Sequence, residues 1–227
     1  QISHAPVLPA PEFRGKSGAG PRGDFVHELD VLTGRLLDAI DKLGIDDNTL
    51  VMFNSDNGPE TVHTDWMRQD HEHDAAGGLR GVKRDGWEGG HRVPFIARWP
   101  GRIPPGQVSK QLTNTTDIFA TVASVVGYRL PDDVAVDSFD MLPAMLGIQD
   151  EDDPIRPHML TQSFRAEFQI RQGNWKYLDH RGSGGNNYGK GILEKYALPE
   201  TAPQATGQLF NLAADPGETT NLFFTES

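Results

Sequence analysis

The stretch N-T-L-V-M-F-N-S-D-N-G-P, from Asn48 to Pro59, decides the predicted fold. Thr49 to Phe53 is the short β-branched and aliphatic run expected of a strand that is buried on both faces of a sheet. The run stops at a turn, because Gly and Pro interrupt strands and Asp and Asn tolerate turn geometry. Ligands of open α/β sheets gather beyond the carboxyl ends of strands, so Asp56 and Asn57 are well placed to hold Ca²⁺ or Mg²⁺. An Asx-turn without a ligand is the alternative interpretation.

The residues before this strand predict a helix from Asp24 to Leu43. Its apolar residues recur every three or four positions, and its charged residues fall on the other face. Gly44 is suited to the position just past a helix end. A helix that leads into a buried strand predicts an α/β fold with a mostly parallel sheet flanked by helices.

The second half of the chain shows a different pattern. Thr115 or Thr116 is predicted to cap a helix that runs through Val126. The acidic run Asp150-Glu151-Asp152-Asp153 then indicates a solvated domain boundary. Beyond it, strand-like segments separated by turn signals predict a small antiparallel sheet; these segments are 158–164, 168–171, 175–179 and 208–212. We therefore predict two domains, residues 1–150 and a small C-terminal antiparallel α+β domain over residues 151–227.

Residues 60–78 have no apolar period and are expected to form a solvated loop. They contain several histidines and carboxylates, a mixture that can bind a transition metal, but the spacing matches no defined zinc motif. An irregular segment beside a strand end is a common place for substrate selectivity. The histidines of this segment, together with one further along the chain, are therefore candidates for lining a substrate pocket; they are His63, His71, His73 and His91.

Residues 78–101 combine glycines with the most concentrated basic patch of the chain. Val93 to Trp99 is predicted to form a second buried strand. The basic residues that precede it are Lys83, Arg84, His91 and Arg92. A basic, glycine-rich loop that leads into a strand predicts an oxyanion site, and salt bridges to neighbouring acids are the alternative.

Composition limits the class of function. The 227 residues carry a formal net charge of −11, which argues against nucleic acid and anionic membranes as partners. An anionic substrate must then be met by a local basic group. The chain contains no cysteine, which excludes disulfides, thiolate metal sites and a cysteine nucleophile within it. Neither a membrane span nor a signal peptide is predicted.

Residues 1–23 are rich in Pro and Gly and predict a surface loop. His4 is the one residue there with catalytic chemistry, and an ordinary exposed side chain is the alternative. Because the chain opens on Gln1 within such a loop, we expect it to be a piece of a longer protein.

Several of these motifs, in this order, resemble the carboxyl-terminal half of the type I, formylglycine-dependent sulfatases of the alkaline phosphatase superfamily. The most specific are S-D-N-G-P and W-E-G-G-H-R-V-P, and the similarity extends to I-R-Q-G-N-W-K-Y-L and to L-F-N-L-A-A-D-P-G-E-T-T-N-L. The resemblance covers essentially the whole chain. It implies an alkaline-phosphatase-like fold and a sulfuric ester hydrolase.

The resemblance also implies roles for four residues. Asp56 and Asn57 match ligands of the Ca²⁺ that polarises the sulfate ester. Lys83, five residues before Glu88, matches the lysine that contacts the sulfate oxygens. His4 matches the histidine that protonates the departing alcohol.

One feature of the family does not occur in these 227 residues. The sulfatase nucleophile is a hydrated formylglycine made from Cys or Ser in a C/S-x-P-S/A-R motif, and the sequence contains no such motif. The family carries it in the amino-terminal half. We therefore expect this chain to lack activity by itself and to bind Ca²⁺ weakly, since that ion takes six to eight oxygen ligands.

Two other functions remain open at this point. The chain could be a non-catalytic binding module derived from a sulfatase, or part of a phosphodiesterase or phosphonate hydrolase of the same superfamily. The expected partners are a sulfate ester, either an aryl sulfate or a sulfated glycan, and the N-terminal half of the same protein. The family resemblance suggests a periplasmic or secreted location.

Overall fold

The computed structural model of the chain describes His4 and residues 6–225. Its helices are α1 (Gly20–Lys42), α2 (Thr61–His71), α3 (Glu88–His91), α4 (Asp117–Val125) and α5 (Leu142–Met145). Its strands are β1 (Val51–Asn54), β2 (Phe95–Arg98), β3 (Met159–Gln162), β4 (Phe168–Gln172), β5 (Trp175–Leu178) and β6 (Gln208–Asn211). No helix in this part of the chain has the length and apolar character needed to span a membrane.

Strands β1 and β2 form within the two segments predicted as buried strands, and they lie side by side. The predicted burial is not found: their residues are half-buried or exposed, and Ile96 is 59% exposed. They pair antiparallel, with Val51 opposite Arg98 and Asn54 opposite Phe95. Parallel pairing, which the sequence predicts for most of the sheet, does not occur among the described residues. Because the two strands are antiparallel, β2 begins at the same end of the sheet at which β1 ends, and residues 55–94 connect them. The turn after β1 and the loop before β2 therefore lie together.

Helix α1 begins at Gly20, four residues before the predicted start, and ends at Lys42. Asp24 in its first turns accepts hydrogen bonds from the backbone amides of Gly15 at 2.6 Å and Ser17 at 2.9 Å. These bonds fix the N-terminal loop against the start of the helix. Burial opposes the charged form, but the hydrogen bonds from Ser17 and Gly15 outweigh it and lower the pKa of Asp24.

The prediction of a loop over residues 60–78 is wrong for its first part, where α2 forms. Glu60 caps this helix, because its side chain accepts from the Thr61 amide at 3.0 Å. The buried face of α2 is mostly polar, with Thr64 and Asp65 beside Met67. Asp65 accepts from Tyr196 Oη at 2.7 Å and pairs with Lys195 Nζ at 2.7 Å. A helix held by such contacts needs no apolar period, so the periodicity did not reveal it.

The C-terminal strands form one antiparallel sheet in the order β3-β4-β5-β6, as predicted. Gly173 lies in the turn between β4 and β5 with φ of 55°, a conformation that favours glycine. The small apolar core of this half contains Trp87, Leu178, Phe210 and Leu212. Trp87 comes from the loop before β2, so this core also holds that loop.

The predicted helix after Thr116 is confirmed as α4, and its first residue is buried. Asp117 forms a buried ion pair with Arg156, with 2.5 Å between Oδ1 and Nη2. This ion pair links the segment before the acidic run at residues 150–153 to the segment after it. The domain boundary at residue 150 stays a prediction.

Candidate functional site

The loops that follow β1 and precede β2 interlock through their backbones. The Gly58 amide donates to the Gly90 carbonyl oxygen at 2.8 Å, and the Lys83 amide donates to the Pro59 carbonyl oxygen at 2.9 Å. A Cβ added to Gly58 would lie 1.9 Å from the Gly89 carbonyl oxygen. Glycine is therefore required where these two motifs cross.

The candidate metal ligands lie on the turn just after β1. Asp56 is exposed at the edge of a cleft of about 1330 Å³ that is also lined by Ser55 and Arg92. Within the described residues no hydrogen bond or ion pair engages the Asp56 carboxylate. Asn57 Nδ2 donates to the Gly58 carbonyl oxygen at 2.8 Å, which leaves Oδ1 as a free oxygen donor. One carboxylate and one amide oxygen suit a hard cation.

These two residues do not complete a metal site. Among His4 and residues 6–225, no three His, Cys, Asp or Glu residues are grouped closely enough to hold an ion. The possibility that the histidines and carboxylates of residues 60–78 bind a transition metal therefore has no geometric support in this part of the chain. Any cation held by Asp56 and Asn57 needs further oxygen ligands.

Lys83 and His4 are brought together although 79 positions separate them. Lys83 Nζ lies 3.4 Å from His4 Nε2. Its own backbone amide is bonded to Pro59, which follows Asp56 by three residues, or about 11 Å of fully extended chain. His4, Lys83 and the Asp56 turn thus belong to one region of the surface.

The carbonyl oxygen of Lys83 is also held in place. Asn186 Nδ2 donates to it at 2.9 Å and to Asp85 Oδ1 at 2.8 Å. The buried Asp85 further accepts from the Val82 amide at 2.9 Å and from Tyr188 Oη at 2.6 Å. Burial, together with the Asp85 charge, raises the pKa of Tyr188. The backbone at Lys83 is therefore fixed by polar contacts on both sides.

Glu60 is the acid that faces the basic patch. It forms a bidentate pair with Arg84, at 2.6 and 3.1 Å, and its Oε2 lies 3.9 Å from Lys83 Nζ. Burial opposes ionisation, but the Arg84 hydrogen bonds outweigh it and lower the pKa of Glu60. Arg84 therefore forms the salt bridge that was the alternative to an oxyanion site. Lys83 has only the longer contact of 3.9 Å to Glu60, so its ammonium group remains available to an anion.

The four histidines proposed to line a pocket have different positions. His63 lies in the first turn of α2, where burial and the nearby Arg22 charge lower its pKa. His91 lines the cleft, and its Nε2 lies 3.0 Å from the Gly86 carbonyl oxygen and 3.2 Å from Lys176 Nζ. Burial and Lys176 lower the pKa of His91 to about 4. His71 lies against Gly20, and His73 is exposed beyond the end of α2.

The sequence interpretation missed a buried charged network under the glycine-rich loop. Lys176 Nζ lies 3.0 Å from both Glu88 Oε1 and Glu218 Oε1, and all three side chains are at most 1% exposed. Glu218 Oε2 also accepts from the Glu88 backbone amide at 2.6 Å. Burial raises the pKa of Glu218, whereas Lys176 holds that of Glu88 low despite its burial. The sequence feature that could have revealed this network is Lys176, which occupies an inward-facing position of β5 between the outward-facing Trp175 and Tyr177.

Comparison with known proteins identifies the family of the chain. The family model described as sulfatase matches residues 3–128. An N-acetylgalactosamine-6-O-sulfatase of Bacteroides thetaiotaomicron is 34% identical over 226 residues, which cover 98% of this chain and 42% of that protein. Arylsulfatase A of Homo sapiens is 34% identical over 230 residues, which cover 97% of this chain and 42% of that protein.

Solved structures give the same result. One from a glycosaminoglycan-metabolism locus of Bacteroides thetaiotaomicron has a TM-score of 0.80 and 34% identity, and the match covers 96% of this chain and 44% of that one. A sulfatase from Pseudoalteromonas sp. has a TM-score of 0.73 and 27% identity, covering 98% of this chain and 42% of that one. The predicted fold class is confirmed by these matches. The chain spans less than half of each protein to which it is similar.

Proposed function

This chain belongs to the sulfatase family, and from that premise we propose that it is the carboxyl-terminal part of a sulfuric ester hydrolase. The observation that carries the proposal is the contact between Lys83 Nζ and His4 Nε2 at 3.4 Å, beside the Asp56-Asn57 turn. A binding module freed from catalysis would have no need to keep an ammonium, an imidazole and two oxygen donors together.

The reaction explains these residue types. A sulfate monoester is anionic, and negative charge builds on its oxygens and on the leaving group as the S–O bond breaks. In our proposal Lys83 contacts the sulfate oxygens and offsets their charge, since a fixed cation in a partly desolvated site stabilises such a transition state. His4 donates a proton to the departing oxygen, a role for which imidazole is suited near neutral pH.

Asp56 and Asn57 are the residues that would hold Ca²⁺, with Mg²⁺ as the other possibility. The ion would supply Lewis-acid stabilisation of the sulfate oxygens. The donor set supports this proposal, because the free Asp56 carboxylate and Asn57 Oδ1 are both hard oxygens. The remaining ligands would come from outside this chain.

We propose that the nucleophile is also supplied from outside these residues, by a formylglycine in an N-terminal half of the same protein. This assignment is supported by the sequence, which has no C/S-x-P-S/A-R motif and no cysteine. The chain by itself would then be inactive. A periplasmic or secreted location is proposed on the family resemblance alone.

For the substrate, we propose a sulfated glycan in preference to a simple aryl sulfate. The support is that two similar proteins are described as acting on, or belonging to the metabolism of, sulfated amino sugars and glycosaminoglycans. Arylsulfatase A is equally similar in identity, so both substrate classes must be assayed.

The test uses the complete protein that contains this chain, produced with its formylglycine-forming enzyme. Release of sulfate is measured from N-acetylgalactosamine 6-sulfate and from 4-nitrophenyl sulfate. Lys83→Ala and His4→Ala are expected to lower kcat/KM at least 100-fold, whereas Lys190→Ala, at an exposed lysine, should leave it unchanged. Absence of sulfate release by the complete protein, together with hydrolysis of a phosphodiester or phosphonate, would replace the proposal with the alternative enzyme class.

A further inference from the structure

Helix α2 presents an aromatic pair on one face, beside the catalytic residues proposed above. His63 and Trp66 are three positions apart, and their rings meet edge to face with centroids 5.7 Å apart. Trp66 is 56% exposed, whereas Trp87 and Trp99 are buried and Trp175 is 39% exposed. The most exposed tryptophan of the chain therefore lies on this face.

This face adjoins the basic end of the site. Glu60, the cap of α2, lies 3.9 Å from Lys83 Nζ and pairs with Arg84. His63 follows Glu60 by three positions, and the charges of Arg22, Glu60 and His4 all act on its ring. Three permanent cations, Arg22, Lys83 and Arg84, thus act on Glu60, and the Asp85 carboxylate also acts on Arg84. A chain with a net charge of −11 has a locally positive region at the start of α2.

The protonation of His63 indicates what it offers to a ligand. Of its ring nitrogens, only Nδ1 is both buried and without a hydrogen-bond partner among the described residues. A buried N–H without an acceptor is more costly than a buried lone pair without a donor. Burial and the Arg22 charge lower the pKa of His63, so the ring is neutral near pH 7. With the lone pair on Nδ1, the ring carries its N–H on Nε2.

We propose that His63 and Trp66 form a saccharide subsite that binds the sugar ring carrying the sulfate ester. The sugar ring packs on the exposed indole face of Trp66, and a sugar oxygen accepts a hydrogen bond from His63 Nε2–H. An apolar platform with one well-placed donor is the usual composition of a small-molecule site. The surrounding positive charge suits a sulfated sugar over a neutral one.

This inference rests on the proposed function, and its test separates the two. In the complete protein, His63→Phe keeps a ring but removes the donor. We expect kcat/KM for N-acetylgalactosamine 6-sulfate to fall about tenfold, the value of one hydrogen bond. Turnover of 4-nitrophenyl sulfate, which has no sugar oxygen, and inhibition by inorganic sulfate should change less than twofold. His63→Gln, which keeps a donor, should retain most of the activity on the sugar.

Trp66→Ala tests the platform. It should raise KM for the sulfated sugar at least fivefold and leave inhibition by inorganic sulfate unchanged, because the sulfate end is not altered. Trp175→Ala and His158→Phe are matched controls on the surface of β5 and just before β3. They should leave both substrates unaffected.

Three results would overturn the subsite. The first is equal loss on both substrates in His63→Phe. The second is a wild-type enzyme that cleaves the aryl sulfate but not the sulfated sugar, which would leave the proposed sulfatase function in place. The third is a wild-type enzyme without any sulfatase activity, which would remove the proposed function as well.

Discussion

The Gly58 amide donates to the Gly90 carbonyl oxygen at 2.8 Å, which joins the turn after β1 to the loop before β2. The antiparallel pairing of these strands brings both loops to the same end of the sheet. The bond leaves no room for a side chain, since a Cβ on Gly58 would lie 1.9 Å from the Gly89 carbonyl oxygen.

We therefore predict that Gly58→Ala lowers the free energy of unfolding by about 2 kcal/mol or more, because neighbouring backbone must shift. The measurement is chemical denaturation of the complete protein. Gly34→Ala is the matched control, as Gly34 lies within α1 with no atom within 4 Å of an added Cβ. That substitution should stabilise by about 0.5–1 kcal/mol. Equal stability of the two variants would contradict the interlocking of the loops.

The buried Lys176 network predicts a large loss of stability when its cation is removed. Lys176→Met leaves Glu218 buried without its ion-pair partner, and it leaves Glu88 with Arg171 at 3.2 Å as its near cation. Breaking a buried ion pair in this way costs about 3–5 kcal/mol. Lys190→Met, at an exposed lysine, should change stability by less than about 0.5 kcal/mol. A Lys176→Met protein as stable as the wild type would show that the network contributes nothing to the fold.

His91 predicts a pH dependence of stability. Its pKa in the folded protein is about 4, below the ordinary value of 6.5, chiefly through burial. The unfolded state therefore binds a proton at His91 more readily than the folded state does. Its contribution to stability is complete above pH 6.5 and is lost as the pH falls from 6.5 to 4, with a slope of up to about 1.4 kcal/mol per pH unit.

Denaturation curves collected between pH 7 and pH 4 measure this dependence. His91→Gln removes the titrating group and should flatten the profile in that window. An unchanged slope in His91→Gln would assign the acid sensitivity to other groups.

Removal of the metal gives a fourth prediction. The complete protein should lose sulfatase activity in a chelator and regain it with Ca²⁺. This chain alone should bind Ca²⁺ at least tenfold more weakly by calorimetry, because Asp56 and Asn57 are the two ligands proposed among its described residues. Asp56→Asn should weaken Ca²⁺ binding by the complete protein. Asp70→Asn, at an exposed aspartate on α2, should not. Full activity in the chelator would refute the metal assignment.

The elements that the sequence predicted well are those built on apolar periodicity. The four C-terminal strands have that pattern, and so do the two strands of the first sheet. Helix α4 forms where it was predicted, but its buried residues are Asp117, Ala120, Thr121 and Ala123, whereas Phe119, Val122 and Val126 are exposed. Helix α2 does not, because its buried face meets Tyr196 and Lys195 through Asp65. A polar helix packed on a polar surface gives no signal to a method that counts apolar residues.

The candidate site residues came from motif resemblance, and their surroundings could not be predicted from the sequence. Motif resemblance selected His4, Lys83, Asp56 and Asn57, and the fold places Lys83 against His4. Glu60, the acid between Lys83 and Arg84, was not predicted, because an ion pair to residues 23 and 24 positions away has no local pattern. The ion pairs of Lys176 with Glu88 and Glu218 were not predicted for the same reason, since the two glutamates come from distant parts of the chain.

Both ends of the segment 55–94 are fixed by the pairing of β1 with β2, and its middle holds α2. Amino-acid changes on the outer face of this helix can therefore be made without disturbing the two fixed ends, where we propose that sulfate cleavage takes place. Exchanging residues 61–71 between related enzymes would be a direct route to new substrate preferences on an unchanged reaction.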